Sequence, residues 1–139
     1  LDSVGKPLQL QGKSTAGQTV DISKLRGKVV LVHYWASWSE PCKADLAQLK
    51  ELQGRYGRNG FELIGVSLDH NGTDLANFLK ANRLPWPQLY EQGGLDSRLA
   101  NELGILTLPT MILFDKQGKV INRNLHVTEL ERELKAALR

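Results

Sequence analysis

The sequence predicts an α/β domain with a mixed central β-sheet flanked by helices. Three observations carry this expectation. Two β-rich apolar runs, at residues 29–32 and 61–67, are each followed by a segment with helical spacing. Two further short runs, at 111–114 and 120–122, flank the turn Asp115-Lys116-Gln117-Gly118-Lys119 as a hairpin would. The chain then closes on an amphipathic helix carrying Leu130, Leu134 and Leu138. At 139 residues with 41% hydrophobic content, one core and one domain, residues 1–139, account for the whole chain.

Taken in order, Leu8-Gln9-Leu10-Gln11 alternates apolar and polar residues, and Thr19-Val20-Asp21-Ile22 follows across a Gly- and Ser-containing turn, so an N-terminal β-hairpin is expected beside the sheet. Residues 23–25 make one helical turn. Val29-Val30-Leu31-Val32 then reads as a fully buried strand. After Cys42, Leu46, Leu49, Leu52 and Tyr56 recur at helical spacing, and Gly54, Gly57 and Asn59-Gly60 end that helix. The strand at 61–67 follows a helical crossover and is therefore expected parallel to the first. Thr73 is placed as the cap of a helix bearing Leu75, Phe78 and Leu79, which Pro85 and Pro87 stop from continuing. A short helix near 97–103 sets Leu95, Leu99 and Leu103 in one row, with Gly104 as its stop. Thr128 with Glu131 reads as a capping box for the last helix.

Composition narrows the function classes. Lys and Arg number 18 against 15 Asp and Glu, a formal charge of +3, but they are scattered without the run that marks a nucleic-acid or membrane surface. No apolar stretch reaches the roughly 18 residues of a membrane helix. The start at Leu1-Asp2-Ser3 carries no basic-then-apolar leader, as expected if a leader was removed, if none existed, or if the domain was cut from a longer protein. With 1 Cys, no disulfide can close within the chain. His33, His70, His126 and Cys42 lack metal-ligand spacing, and Gly93-Gly94 lacks the surroundings of a phosphate cradle, so neither metal nor cofactor is expected.

The stretch that carries chemistry is Trp35-Ala36-Ser37-Trp38-Ser39-Glu40-Pro41-Cys42-Lys43-Ala44-Asp45. It reads as strand, tight turn and helix start, with Pro41 at the first helical position and Cys42 in the first turn. Free N–H groups and the positive end of the helix dipole favour an anion there, so an activated thiolate is expected at Cys42. A dithiol motif would be Cys-x-x-Cys, and Ser39 stands at its first position. A buried small hydrophobe is the plainer reading of Cys42. As an alcohol, Ser39 cannot take part in thiol exchange; it is a good N-cap, its oxygen accepting from the N–H of Cys42. A hydrolase built on Ser39 would need a base, and His33 has no evident orienting acid.

These residues resemble the thioredoxin superfamily, in particular the TlpA/ResA-like thiol-disulfide oxidoreductases, whose motif is similar to Trp-Cys-Glu-Pro-Cys-Lys where this chain has Trp38-Ser39-Glu40-Pro41-Cys42-Lys43. The resemblance covers essentially the whole chain. It implies a thioredoxin-like fold, with the N-terminal hairpin and an extra helix plus Leu84-Pro85-Trp86-Pro87 as TlpA/ResA-type additions. It also implies that Thr107-Leu108-Pro109-Thr110 is a cis-proline loop facing the active-site turn, with the Leu108 backbone available to an extended substrate.

By the same resemblance, Ser39 and Cys42 hold the catalytic pair of positions, and Asp45 takes a place where a Glu manages the proton of the second cysteine. Asp45 is equally accounted for as a helix-start acid. Trp38, Glu40, Pro41, Leu108 and Pro109 form the substrate-binding set; Trp35 belongs to the core. His33 stands where thioredoxin carries a buried acid, and a hydrogen-bonded core histidine is the favoured reading. The implied partners are client protein thiols and disulfides and an upstream thiol reductant, for a monomeric domain outside the cytoplasm with any membrane tether outside this chain. Ser39 leaves two accounts. It replaces a cysteine to give a non-oxidising protein, which the intact Pro41, Cys42 and Pro109 favour, or the chain is a redox-inactive peptide-binding module. A peroxidase of the peroxiredoxin type lacks its cysteine and that cysteine's Pro and Thr companions.

Overall fold

The strand that organises the molecule is β3, Val29–Trp35, buried along its whole length. In the computed structural model, which describes Gly5 and residues 7–139, β3 is the middle of a five-stranded sheet of order β5-β4-β3-β6-β7. β4, Phe61–Ser67, runs parallel to it and pairs Val29 with Phe61 through to Trp35 with Ser67. β6, Thr110–Phe114, pairs antiparallel on the other side, and β7, Val120–Asn122, completes the hairpin with an irregularity at Leu113/Phe114.

Strand periodicity sorts the core into two layers. Val30, Val32 and Tyr34 face one side, with Ile64, Val66, Ile112 and Phe114, against Leu99, Ala100 and Leu103 of the α3 region. Val29 and Leu31 face the other side, against Leu46, Leu49 and Leu52 of α1 (Glu40–Tyr56) and Leu130 and Leu134 of α4 (Val127–Leu138). A third cluster, Trp35, Cys42 and Leu75, sits at the carboxyl end of β3. Sites in sheets of this kind lie at that rim.

Several local expectations move. β1 is Gln11–Lys13, paired with β2, Thr19–Asp21, so Leu8 to Leu10 lie outside the ladder; Leu10 is instead buried in the core, with its carbonyl accepting from the Ile22 N–H. α1 opens at Glu40 and not at Pro41, and runs through Gly54 to Tyr56. α2, Gly72–Ala81, is capped by Asn71, whose side chain accepts from the Asp74 N–H; Thr73 is inside the helix. α3 is only Arg98–Glu102, capped by Ser97, and Leu95 lies in a separate 3₁₀ turn with its side chain 38% exposed, so the leucine row is broken. α4 is capped at His126, whose N–H donates to Glu129 at 3.4 Å, so the box begins two residues before Thr128. The sheet also has an unforeseen strand, β5 (Gln88–Tyr90), parallel to Gly65–Ser67 of β4.

Candidate functional site

β3 delivers the turn 36–39, and a buried carboxylate holds that turn. Asp69, just beyond β4, is fully buried; its Oδ1 accepts from the Ser37 N–H at 2.9 Å and the Ser37 hydroxyl at 2.6 Å, and its Oδ2 accepts from the Ser67 hydroxyl at 2.6 Å. Sequence reasoning passed over Asp69. The available signal was an acid directly after an apolar parallel strand, at the rim where such sheets place their sites.

Ser39 is the N-cap of α1 by backbone geometry, yet its side chain caps nothing. The expected bond from the Cys42 N–H to the Ser39 side chain is absent. Cys42 is fully buried among Trp35 and Leu75. Burial pushes its thiol up; the Ser39 hydroxyl and the Ala36 backbone N–H pull it down, and the nearby Asp45 and Asp69 carboxylates push it up again. The net displacement is upward, which overturns the expectation of an activated thiolate: desolvation outweighs the helix start.

The loop before β6 meets this cysteine from the other side. The Leu108–Pro109 peptide is cis, the Thr110 hydroxyl donates to the Thr107 carbonyl at 2.7 Å, and Leu108 packs against the Trp35, Cys42 and Leu75 cluster. Pro41, Asp45 and Pro109 meet around a cleft of about 510 Å³ that also takes in His126 and Arg123, neither of which the sequence reading assigned to a site. Asp45 is half-buried there; burial pushes its carboxyl up and the His126 side chain pulls it down. Trp38 lines no part of this cleft and is 59% exposed, and Glu40 is exposed and ion-paired with Lys43 at 3.3 Å. Leu106, on the loop before Pro109, is 81% exposed.

Beneath the turn, Trp35 is buried and its indole N–H donates to Gln88 Oε1 at 2.8 Å. His33 is buried too, but neither ring nitrogen has a partner among the described residues, which corrects the expectation of a hydrogen-bonded histidine. Its ring stacks parallel to that of Trp35 with centroids 6.3 Å apart, and burial lowers its pKa to about 3, so it is neutral. Among the described residues, no group of three or more His, Cys, Asp or Glu side chains is placed to hold a metal ion, and no helix is long and apolar enough to cross a membrane.

A lone buried cysteine in the first turn of the helix that follows the central strand, opposite a cis-proline loop, defines a protein of the thioredoxin-fold redox class. Residues 3–138 match the Redoxin family model, and the chain belongs to that family. It is 31% identical over 105 residues to the thiol-disulfide oxidoreductase ResA of Bacillus thuringiensis subsp. konkukian, a match that covers 76% of this chain and 59% of that protein. The chain thus spans less than two thirds of the length of that relative. Among solved structures it is similar to a thiol-disulfide oxidoreductase from Bacteroides fragilis, at 32% identity and a TM-score of 0.81 over 92% of this chain and 96% of that one. The thioredoxin domain of a Bacteroides vulgatus thiol-disulfide oxidoreductase, at 22% identity, a TM-score of 0.88 and coverage of 100% of both chains, bears on the fold alone. The fold is thioredoxin-like, and the chain stands close to the ResA/TlpA-type proteins.

Proposed function

We propose that residues 1–139 act as one domain whose rim is a thiol-disulfide exchange site for client proteins, with Cys42 as its resolving position and Ser39 at the attacking position. The observation that carries the reading is the placement of Ser39 as the cap of α1 and of the buried Cys42 in its first turn, with Leu108 of the cis-proline loop packed against the cysteine's cluster.

A thiolate at position 39 would attack one sulfur of a client disulfide, forming a mixed disulfide and releasing the other client sulfur as a thiolate. The Cys42 thiol, losing its proton, would then attack the sulfur at position 39, releasing the second client thiolate. Two electrons pass to the client, the protein pair becomes a disulfide, and an upstream dithiol reductant restores it. The Leu108 backbone, which takes no backbone hydrogen bond among the described residues, would pair with the client segment, while Trp38, Glu40, Pro41 and Pro109 contact its side chains. Asp45, with its carboxyl raised, would accept the Cys42 proton. With serine at position 39 the chain binds clients but cannot complete the exchange, because an alcohol does not supply the first nucleophile. A location outside the cytoplasm fits this chemistry and the resemblance to ResA.

The specific observation favouring a redox-inactive peptide-binding module is Ser39 itself, next to a client cleft that keeps Pro41 and Pro109. Insulin reduction by dithiothreitol separates the two. The Ser39→Cys variant should accelerate it, whereas the chain as it stands and the Ser39→Cys/Cys42→Ser variant should not; a Ser39→Cys variant no faster than the blank supports the module.

A further inference from the structure

A second recessed surface lies between the β1–β2 loop, α2 and the segment leading into β5. It has two stretches that share Thr15, Leu79 and Arg83: one of about 810 Å³ reaches Lys50 and Trp86, and one of about 600 Å³ reaches Lys80 and Tyr90. Neither stretch includes Cys42 or the loop at Pro109.

The charge of this groove is one-sided. Lys50, Lys80 and Arg83 line it, no Asp or Glu does, and none of the three cations forms an ion pair among the described residues. The cleft at Asp45 differs, since it mixes a carboxylate with His126 and Arg123. Leu79, Leu84 and Pro85 supply an apolar strip between the cations, and cations set beside a low-dielectric strip concentrate positive potential. The two stretches join along α2, a shape suited to an extended chain. The β5 edge is already taken by the Ser14–Leu89 bridge and by the Thr15 N–H donating to the Gln88 carbonyl at 2.9 Å, so a guest lies across side chains and adds no strand.

We propose that this groove docks an extended, acidic and apolar segment of a partner protein, its carboxylates meeting Lys50, Lys80 and Arg83 and its apolar side chains covering Leu79, Leu84 and Pro85. The docking needs no thiol chemistry and is separate from the exchange site.

The test is fluorescence polarisation of a labelled, end-blocked decapeptide that alternates Glu with Leu, titrated with the whole chain, together with backbone amide shifts. The expected result is saturable binding that weakens at least tenfold in the Lys80→Glu/Arg83→Glu variant and at least tenfold when the peptide's Glu residues become Gln, with shifts at residues 14–18 and 79–88. Should charge reversal unfold the chain, Lys80→Gln/Arg83→Gln replaces it, with at least threefold weakening expected. Absence of binding, binding indifferent to these changes, or shifts confined to the cleft of Asp45 and His126 overturns the proposal. So does capture of benzoate or of phosphatidylglycerol vesicles in the peptide's stead, which would assign the groove to a small anion or a membrane surface.

Discussion

Ser39 caps α1 through its backbone alone, and Cys42, three residues further into the helix, is fully buried. As an alcohol, Ser39 cannot exchange disulfides, and Cys42 is the single cysteine of the sequence. The chemistry of the rim reduces to what surrounds that sulfur.

The first consequence is the ionisation of Cys42. Burial dominates its environment and pushes the thiol up, so titration by thiolate absorbance at 240 nm should give a midpoint above the ~8.5 of a free cysteine. Replacing Ser39 with Ala removes a hydroxyl that favours the thiolate and should move the midpoint higher still. A thiolate already formed at neutral pH would contradict this. Because the folded thiol ionises later than the unfolded one, the native state holds the extra proton above about pH 8.5, and stability should fall as pH rises past that point.

Asp69 ties the turn to β4 through three bonds from Ser37 and Ser67. Asp69→Ala should cost roughly 3 kcal/mol in urea unfolding, since it leaves buried donors without acceptors. Asp69→Asn removes the charge while keeping the side chain's shape and one acceptor oxygen, and should lower the Cys42 midpoint in the same absorbance titration. An unchanged midpoint in the Asn variant would mean that the carboxylate acts only as a tether.

His33 gives the fold an acid dependence. Its pKa is lowered to about 3 in the folded state by burial, against ~6.5 unfolded. The stabilisation from keeping it neutral is complete above pH 6.5 and is lost as pH falls from there towards 3. Between pH 6.5 and 5 this single group should remove about 2 kcal/mol. His33→Phe should flatten that part of the urea-midpoint profile, and parallel profiles for the two proteins would refute the assignment.

Gly65 leaves room for the Gln88 amide that accepts the Trp35 indole N–H. A Cβ built at Gly65 would lie 2.2 Å from Gln88 Oε1. Gly65→Ala must displace that amide and break a buried bond, at a cost of about 1–3 kcal/mol. Gly65→Ala and Gln88→Ala should therefore be strongly non-additive in a double-mutant cycle, and additive energies would show the two sites to be independent.

What could be read from the sequence was whatever is local. The apolar run at 29–32 that opens β3, the parallel crossover to β4 and the leucine spacing of α1 follow from periodicity and chain direction. β5 did not, because Gln88-Leu89-Tyr90 is only 3 residues long and exists by pairing with Gly65–Ser67. Caps moved by one or two residues, since Asn71 competes with Thr73 and the backbone turn decides between them. At the site, the cysteine and the altered first position were legible from the Cys-x-x-Cys spacing, and the proline loop from the family resemblance. Asp69 was not, since its partners Ser37 and Ser67 come together only when the ends of β3 and β4 lie side by side. The raised thiol of Cys42 was hidden for a related reason: helix position can be read from a sequence, whereas desolvation depends on Trp35, Leu75 and Leu108 closing over the sulfur.

The most direct test of the exchange reading is the equilibrium of the Ser39→Cys variant with reduced and oxidised glutathione, followed by tryptophan fluorescence from Trp35 and Trp38. The account predicts a reversible disulfide between position 39 and Cys42 with a single defined potential. A pair that stays reduced across the whole glutathione range, or a disulfide that glutathione and dithiothreitol cannot open, would contradict it.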